Sequence, residues 1–297
     1  MTGPESGFLL LTSQLGNPER KTLTTAQLRI LAGRVRAAEK GDISRQLQEN
    51  DLVALGYGRE MAGHILSLLE EEELLHYYCR RGEKQGCFPL TWVTEGYPGR
   101  LKRSLREETP GCLGYKGDIS ILSQPMVALV GSRDLREKNR NFARQVGYQA
   151  ARQGYVLVSG NARGADQTAQ NACLQAGGKV ICVIADCLKD KPLKENVLYL
   201  SEGGFDEPFS AQRAISRNRV IHALTDRTFV AQSSLHTGGT WDGTSKNLRH
   251  RWSNVYCFAD GSEASVQLQK MGAEGIAETQ LENLENLPRQ DQGFFED

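Results

Sequence analysis

Between Met126 and Phe258, short uninterrupted apolar runs alternate with amphipathic stretches, and this alternation leaves few folds open. "MVALV" precedes "EKNRNFARQVGYQAARQG", and "YVLV" precedes "DQTAQNACLQAGG". "KVICVIA" and "VLYLS" follow, then "SAQRAISRNRVIHALTD", "TFVAQS", "TSKNLRHRW" and "NVYCFA". A strand that faces solvent on one side alternates apolar and polar residues, whereas these runs do not, so both of their faces are expected to be covered. Parallel strands need crossovers, and the amphipathic stretches supply them. The expected fold is α/β, a doubly wound and mainly parallel sheet.

Upstream, the pattern is helical. "TTAQLRILAGRVRAA" opens on capping threonines and places Leu28, Leu31 and Val35 at helical spacing. "ISRQLQENDLVALG" and "GREMAGHILSLLEEEELLHYYC" continue the theme, with glycines between. The chain therefore divides, as an expectation, into a flexible arm (1–20), a small helical domain (21–88), a connector (89–125), the α/β domain (126–276) and a C-terminal tail (277–297). No apolar run approaches the roughly 18 residues of a membrane span. The N-terminus has no basic leader, so a cytoplasmic location and no membrane partner are expected. Lysine and arginine together number 36, as do aspartate and glutamate, which argues against a polycationic coat but leaves room for a local basic face. The seven cysteines show no paired metal-site spacing and read as reduced thiols; no metal site or cofactor is expected.

In open parallel sheets, ligands bind beyond the carboxyl ends of the strands. There the sequence places Gly131-Ser132-Arg133, Ser159-Gly160-Asn161-Ala162-Arg163-Gly164, Glu202-Gly203-Gly204 and, after "FVAQ", Ser233-Ser234 with Thr237-Gly238-Gly239-Thr240. Glycine lets a ligand approach the backbone. Amides at a helix start favour an anion by roughly 0.3–1 kcal/mol. No loop is a full dinucleotide fingerprint or Walker sequence, but several on one edge suit phosphate. Beside them "RAISRNRVIHAL" crowds Arg213, Arg217 and Arg219 onto one helix, with Asn218 between the last two and Ile215 supplying packing. Guanidinium forks match phosphate oxygens. "KNLRHRW" adds a second basic patch with Lys246, Arg249 and Arg251. Asp166 could hold a ribose or cap its helix, and His222 reads as a core residue. No Ser-His-Asp order is found, so no catalytic residue is assigned.

Taken together, "VALVGSR", "VSGNARGADQTAQNACLQAGGKVICVI", "SRNRVIHAL", "TGGTWDGTSKNLRHRWSNVYCFADG" and "LQKMGAEGI" resemble the DprA/Smf family of DNA-processing proteins. "TEGYPGRLKRSLREETPGCLGYKGD" is similar to the segment that leads into that family's central domain. The resemblance implies an extended Rossmann-like fold that binds single-stranded DNA in a basic pocket. It also implies a homodimer and help in placing a RecA-type recombinase on DNA during natural transformation. By motif, Gly131, Ser132 and Arg133 form a first phosphate loop, and Ser159, Gly160 and Gly164 a second. Arg217, Asn218 and Arg219 match the family's arginine–asparagine–arginine motif, and Thr237 to Thr240 its serine–glycine–serine loop. The chain departs from the family pattern at Gln170 in place of histidine, at Gln232 in place of an acid and at Asp260 in place of proline. A counterpart of the family's C-terminal winged-helix-like module is not expected in this sequence. These departures imply a divergent member, in a setting such as defence.

The expected function is sequence-independent, non-catalytic binding of single-stranded DNA, with phosphates clamped by Arg133, Arg163, Arg217 and Arg219. Tyr155, Phe205, Phe209 and Trp241 are the aromatic candidates for stacking. The alternative is a nucleotide-binding or nucleotide-hydrolysing enzyme or sensor, as in phage defence, using the "TGGT" loop with Asp242 or Glu202.

Overall fold

A computed structural model describes residues 1–38 and 47–290. Five helices come first: α1 (Gly3–Thr12), α2 (Thr25–Ala37), α3 (Glu49–Ala54), α4 (Arg59–Leu69) and α5 (Glu72–Lys84). β1 (Phe88–Thr91), α6 (Gly99–Leu105) and β2 (Cys112–Lys116) follow. The remainder alternates: β3 (Met126–Val130), α7 (Glu137–Arg152), β4 (Val156–Ser159), α8 (Ala165–Gln175), β5 (Val180–Ile184) and β6 (Val197–Ser201). It continues with α9 (Ala211–Ala223), β7 (Arg227–Val230), α10 (Gly238–His250), β8 (Asn254–Phe258), α11 (Glu263–Lys270) and β9 (Glu274–Ile276).

The nine strands among the described residues form one sheet in the order β1-β2-β6-β5-β4-β3-β7-β8-β9. From β6 to β9 every pairing is parallel, while β2 joins β6, and β1 joins β2, antiparallel. The expected doubly wound, mainly parallel α/β architecture is therefore what the chain adopts. Along β3, Val127 and Leu129 enter one core with Phe142, Val146 and Ala169 from α7 and α8. Ala128 and Val130 enter the other with Val220, Ile221 and Trp241 from α9 and α10. Two buried faces explain why this strand is apolar throughout.

The first twenty residues are not a loose arm. Thr2 and Glu5 form a reciprocal capping box that starts α1. The helix then buries Leu9 and Leu10 in the main core and Leu11 against the other helices. Arg20 is buried too, donating to the carbonyls of Leu10, Ser13 and Leu68 and pairing with Glu71 at 2.6 Å. The predicted helical region exists, but it shares a core with the sheet through Leu75 and Tyr78 of α5. The start of its "ISRQLQ" segment lies outside the described residues.

The segment expected as a connector instead supplies β1, α6 and β2, which extend the sheet by two strands. The tail also differs from expectation. Leu281, Leu284 and Leu287 are buried in the main core, and the Gln290 amide bonds both the N–H and the C=O of Val255. Residues 291–297 of that tail lie outside the described residues. Among the described residues, no helix is long and apolar enough to cross a membrane.

Candidate nucleic-acid interface

Chain order runs outward from β3 in one direction through β4, β5 and β6, then in the other through β7, β8 and β9. The reversal opens a crevice between the carboxyl ends of β3 and β7. A depression of about 600 Å³ occupies it, lined by the loops after both strands, the start of α10 and one side of α9. The first loop is fastened across the crevice: Ser132 donates its N–H to the Gln232 carbonyl at 2.9 Å. Gln232 accepts from the Arg136 N–H at 3.0 Å and donates to the Asp134 carbonyl at 3.0 Å. The departure at Gln232 thus places a neutral amide where both of its functions, donor and acceptor, are used by the neighbouring loop.

The second loop behaves differently from a bare phosphate cradle. Asp166, buried at the start of α8, accepts the N–H groups of Gly160 and Ala162, each at 3.1 Å. Ala165 donates its N–H to the Ser132 carbonyl at 3.2 Å. Three amides expected to greet an anion are therefore committed within the protein, and the carboxylate of Asp166 stands where the anion was expected. Burial pushes the Asp166 carboxyl above the ordinary aspartate range, opposed by the nearby Arg217 guanidinium. At the departure Gln170, the side chain donates to the Ser159 hydroxyl at 2.5 Å and bolts the loop to α8. Asp260 accepts from Arg136 at 2.6 Å and from Asn139 at 2.7 Å, so this departure is also absorbed structurally.

At two of these positions a side chain would collide with a neighbour. Gly164 has φ +89°, and a Cβ there would overlap the Arg133 carbonyl. A Cβ on Gly160 would overlap the Arg217 guanidinium, which lies beside the loop backbone there.

The basic residues separate into two groups. Arg133 is exposed and, like Arg217, has no ion pair or side-chain hydrogen bond among the described residues, although both border the 600 Å³ depression. Arg217 also borders a smaller depression of about 300 Å³ beside Gly160 and Asp186. Its Nε is buried without a partner, and burial depresses its pKa against the opposing pull of Asp166. The other candidate cations have protein partners. Arg213 staples the carbonyls of Ala185, Glu207 and Pro208. Arg219 pairs with Glu202 at 2.7 Å and points to the far side of α9. Arg163 pairs with Asp134 at 2.8 Å, and Lys246 with Asp242 at 2.9 Å. The structure therefore brings Gly131, Ser132, Arg133, Arg217, Asn218 and Thr237 to Thr240 around one depression. Ser159 lies buried beneath it, Gly160 and Arg163 sit at its flank, Gly164 is buried under the first loop, and Arg219 and Lys246 lie elsewhere.

The third loop is held by Asn218, whose amide donates to the Gly239 carbonyl at 3.0 Å. Gly238 opens α10 at φ +82°, a conformation that favours glycine. Of the aromatic candidates, Phe205 and Trp241 are buried and Tyr155 packs on the core. Phe209 alone stays open, at 59% exposure on the depression's edge, joined by Ile215 at 49%. Ile215, expected to be packing, is therefore an apolar rim residue that the sequence reading missed. Its one available signal was a place between Arg213 and Arg217 on the arginine helix.

His222 is buried at the base of the site, as expected. Asn247 is 3.0 Å from its Nδ1, and burial lowers its pKa to about 3. The unfolded chain, with a histidine near its ordinary value of about 6.5, then binds more protons than the native state below neutrality. Stability is fully present above that value and is lost as pH falls toward the native one. Chemical unfolding at pH 7 and pH 5 is expected to show a loss of about 2 kcal/mol that is absent in His222→Gln. An identical pH slope in both proteins would contradict this.

Comparison with known proteins matches the profile of "DNA recombination-mediator protein A" to residues 89–281, more than half of the chain. The DNA processing protein DprA of Streptococcus pneumoniae is 35% identical over 141 residues, 44% of this chain and 50% of that protein. Protein Smf of Escherichia coli is 29% identical over 210 residues, 65% of this chain and 55% of that protein. The chain thus spans about half the length of the curated relatives it matches. Among solved structures, the DNA processing protein A of Streptococcus pneumoniae superimposes with a TM-score of 0.66 at 24% identity, covering 88% of this chain and 97% of that one. The protein of the same name from Helicobacter pylori, described for its single-stranded DNA binding mode, gives 0.53 at 24% identity over 64% of this chain and 90% of that one. At these identities the two structures speak to the fold.

Proposed function

Because the chain belongs to the DNA recombination-mediator protein A family, the DprA/Smf proteins, we propose that it binds single-stranded DNA at the crevice between β3 and β7, without chemistry and with little sequence preference. The observation that carries this reading is the pair Arg133 and Arg217, two guanidinium groups that, among the described residues, make no ion pair or hydrogen bond and border the same depression. A guanidinium with no hydrogen bond of its own has its N–H groups free for a ligand, and a phosphate accepts them in pairs. Phe209 at the edge offers one base a stacking surface. Delivery of the strand to a RecA-type recombinase and a homodimeric assembly complete the reading and rest on family membership.

The nucleotide-enzyme alternative is less well supported. Asp242 is engaged by Lys246 and Glu202 by Arg219, and neither lines the crevice. Burial also raises the Glu202 pKa. Fluorescence anisotropy with labelled oligo-dT across a salt series, beside a thermal-shift screen of mononucleotides, tests the proposal. Expected is binding whose logarithm falls linearly with log salt, by about 0.7 per phosphate contacted, and no mononucleotide shift. A saturable shift with one nucleotide and no oligomer binding would overturn it.

A further inference from the structure

A second depression lies across α9 from the first, and the two share Ile215 and Asn218 as a common ridge. It measures about 410 Å³ and is lined by Glu108, Arg219, Asp242, Lys246, His250 and Trp252 among others. Its charges nearly cancel, because Arg219 is held by Glu202 and Lys246 by Asp242. Unlike the crevice, it is therefore not built for a phosphate alone. Its distinguishing feature is aromatic. The His250 ring lies over Trp252 with centroids 5.3 Å apart and planes within 10°. Trp252 is buried at 6% exposure and anchors the stack, while His250 is exposed. One face of the imidazole is thus backed by a fixed indole and the residue remains open to solvent, which makes it a platform for a flat ring. Lys246 stands four residues earlier on the same helix, so the two share one face of α10. Its ion pair with Asp242 is half exposed, and such pairs contribute little, so the ammonium can exchange its partner.

We propose that this depression is a base-binding subsite for the same strand: a nucleotide that has crossed the Ile215 ridge stacks its base on His250 and sets its phosphate against Lys246. The inference rests on the strand-binding reading of the crevice and extends it. A strand seated in both depressions passes over Ile215, an apolar residue whose 49% exposure is otherwise without a use. Base stacking tolerates any base, so the subsite adds affinity with length and not sequence preference.

The test is an oligo-dT length series, from dinucleotide to twelve nucleotides, measured by competition anisotropy on the full chain and on His250→Ala, His250→Phe and Lys246→Ala. The wild type is expected to gain affinity in a step as the oligomer becomes long enough to span both depressions. His250→Ala should remove that step, about tenfold, while leaving the shortest oligomers that bind unaffected. His250→Phe, which keeps a flat ring, should restore it, and Lys246→Ala should reduce it by a smaller factor. Circular dichroism at matched temperature confirms that each variant is folded. An equal effect of His250→Ala at every length, or no effect at any, overturns the subsite while leaving the crevice reading intact. Absence of oligomer binding at every length in the wild type overturns both.

Discussion

Alanine at both Arg133 and Arg217 is expected to weaken oligo-dT binding about a hundredfold and to lower the salt slope by about 1.4, the share of two phosphate contacts on a single strand. Arg217→Ala alone should cost at least tenfold. Arg219→Ala should cost less than threefold, although sequence alone makes the two arginines look equivalent. The contrast comes from their partners. Arg219 already pairs with Glu202 and donates to the Ser216 and Glu108 carbonyls, so a phosphate would have to displace a formed ion pair. Arg217 has no such pair to break. Removing it also leaves Asp166 without its nearest opposing charge, so a loss of binding could reflect a disturbed loop. Gly160→Ala separates the two causes. Its methyl would displace the guanidinium and leave the charge in the protein, so binding should fall while the unfolding midpoint scarcely moves. Equal losses in Arg217→Ala and Arg219→Ala, measured by anisotropy at several salt concentrations, would refute the division of labour.

The largest stability effect is expected far from the crevice, at Gly147→Ala. This glycine lies on the buried side of α7 where it crosses α8, and a Cβ there would overlap the carbonyl of Ala169. Backbone cannot rotate aside as a side chain can, so the helices must separate or tilt. Overpacking of this kind costs about 3 kcal/mol, which for a chain of this size lowers Tm by roughly 5 °C. Because α8 carries Asp166 and Ala165, the displacement should reach the second loop and reduce binding as well. Gly63→Ala is the matched control. It sits on the exposed face of α4 with nothing near its missing Cβ, so the same change should stabilise by about 0.5–1 kcal/mol. Equal midpoints for the two variants in thermal unfolding would show that the helix crossing is looser than the geometry indicates.

The inner sheet was legible because burial on both faces writes itself into composition. Val127 to Val130, Leu157 to Val158 and Val180 to Ile184 can be recognised without knowing their neighbours. The outer strands were not legible. β1 carries Pro89 and β2 carries Gly114, residues that mark turns and loops in an isolated chain, and both strands are ordered by antiparallel pairing at the sheet's edge. Docking of α1 was equally hidden, since Leu9 and Leu10 form too short a run to declare which core they enter.

At the site, sequence alone located the glycines, the arginine helix and the strand ends where they meet, because those follow from residue type and from the rule that ligands lie beyond parallel strand termini. Tertiary structure alone decided which groups were left over for a ligand. Gly160 and Ala162 give their amides to Asp166 within the loop itself, but Arg213 and Arg219 spend their charge on Ala185, Glu202 and Glu108, brought near only by folding. A side chain's type fixes what it can bind; whether it is still free depends on groups distant in the chain, whose positions exist only once the sheet is built.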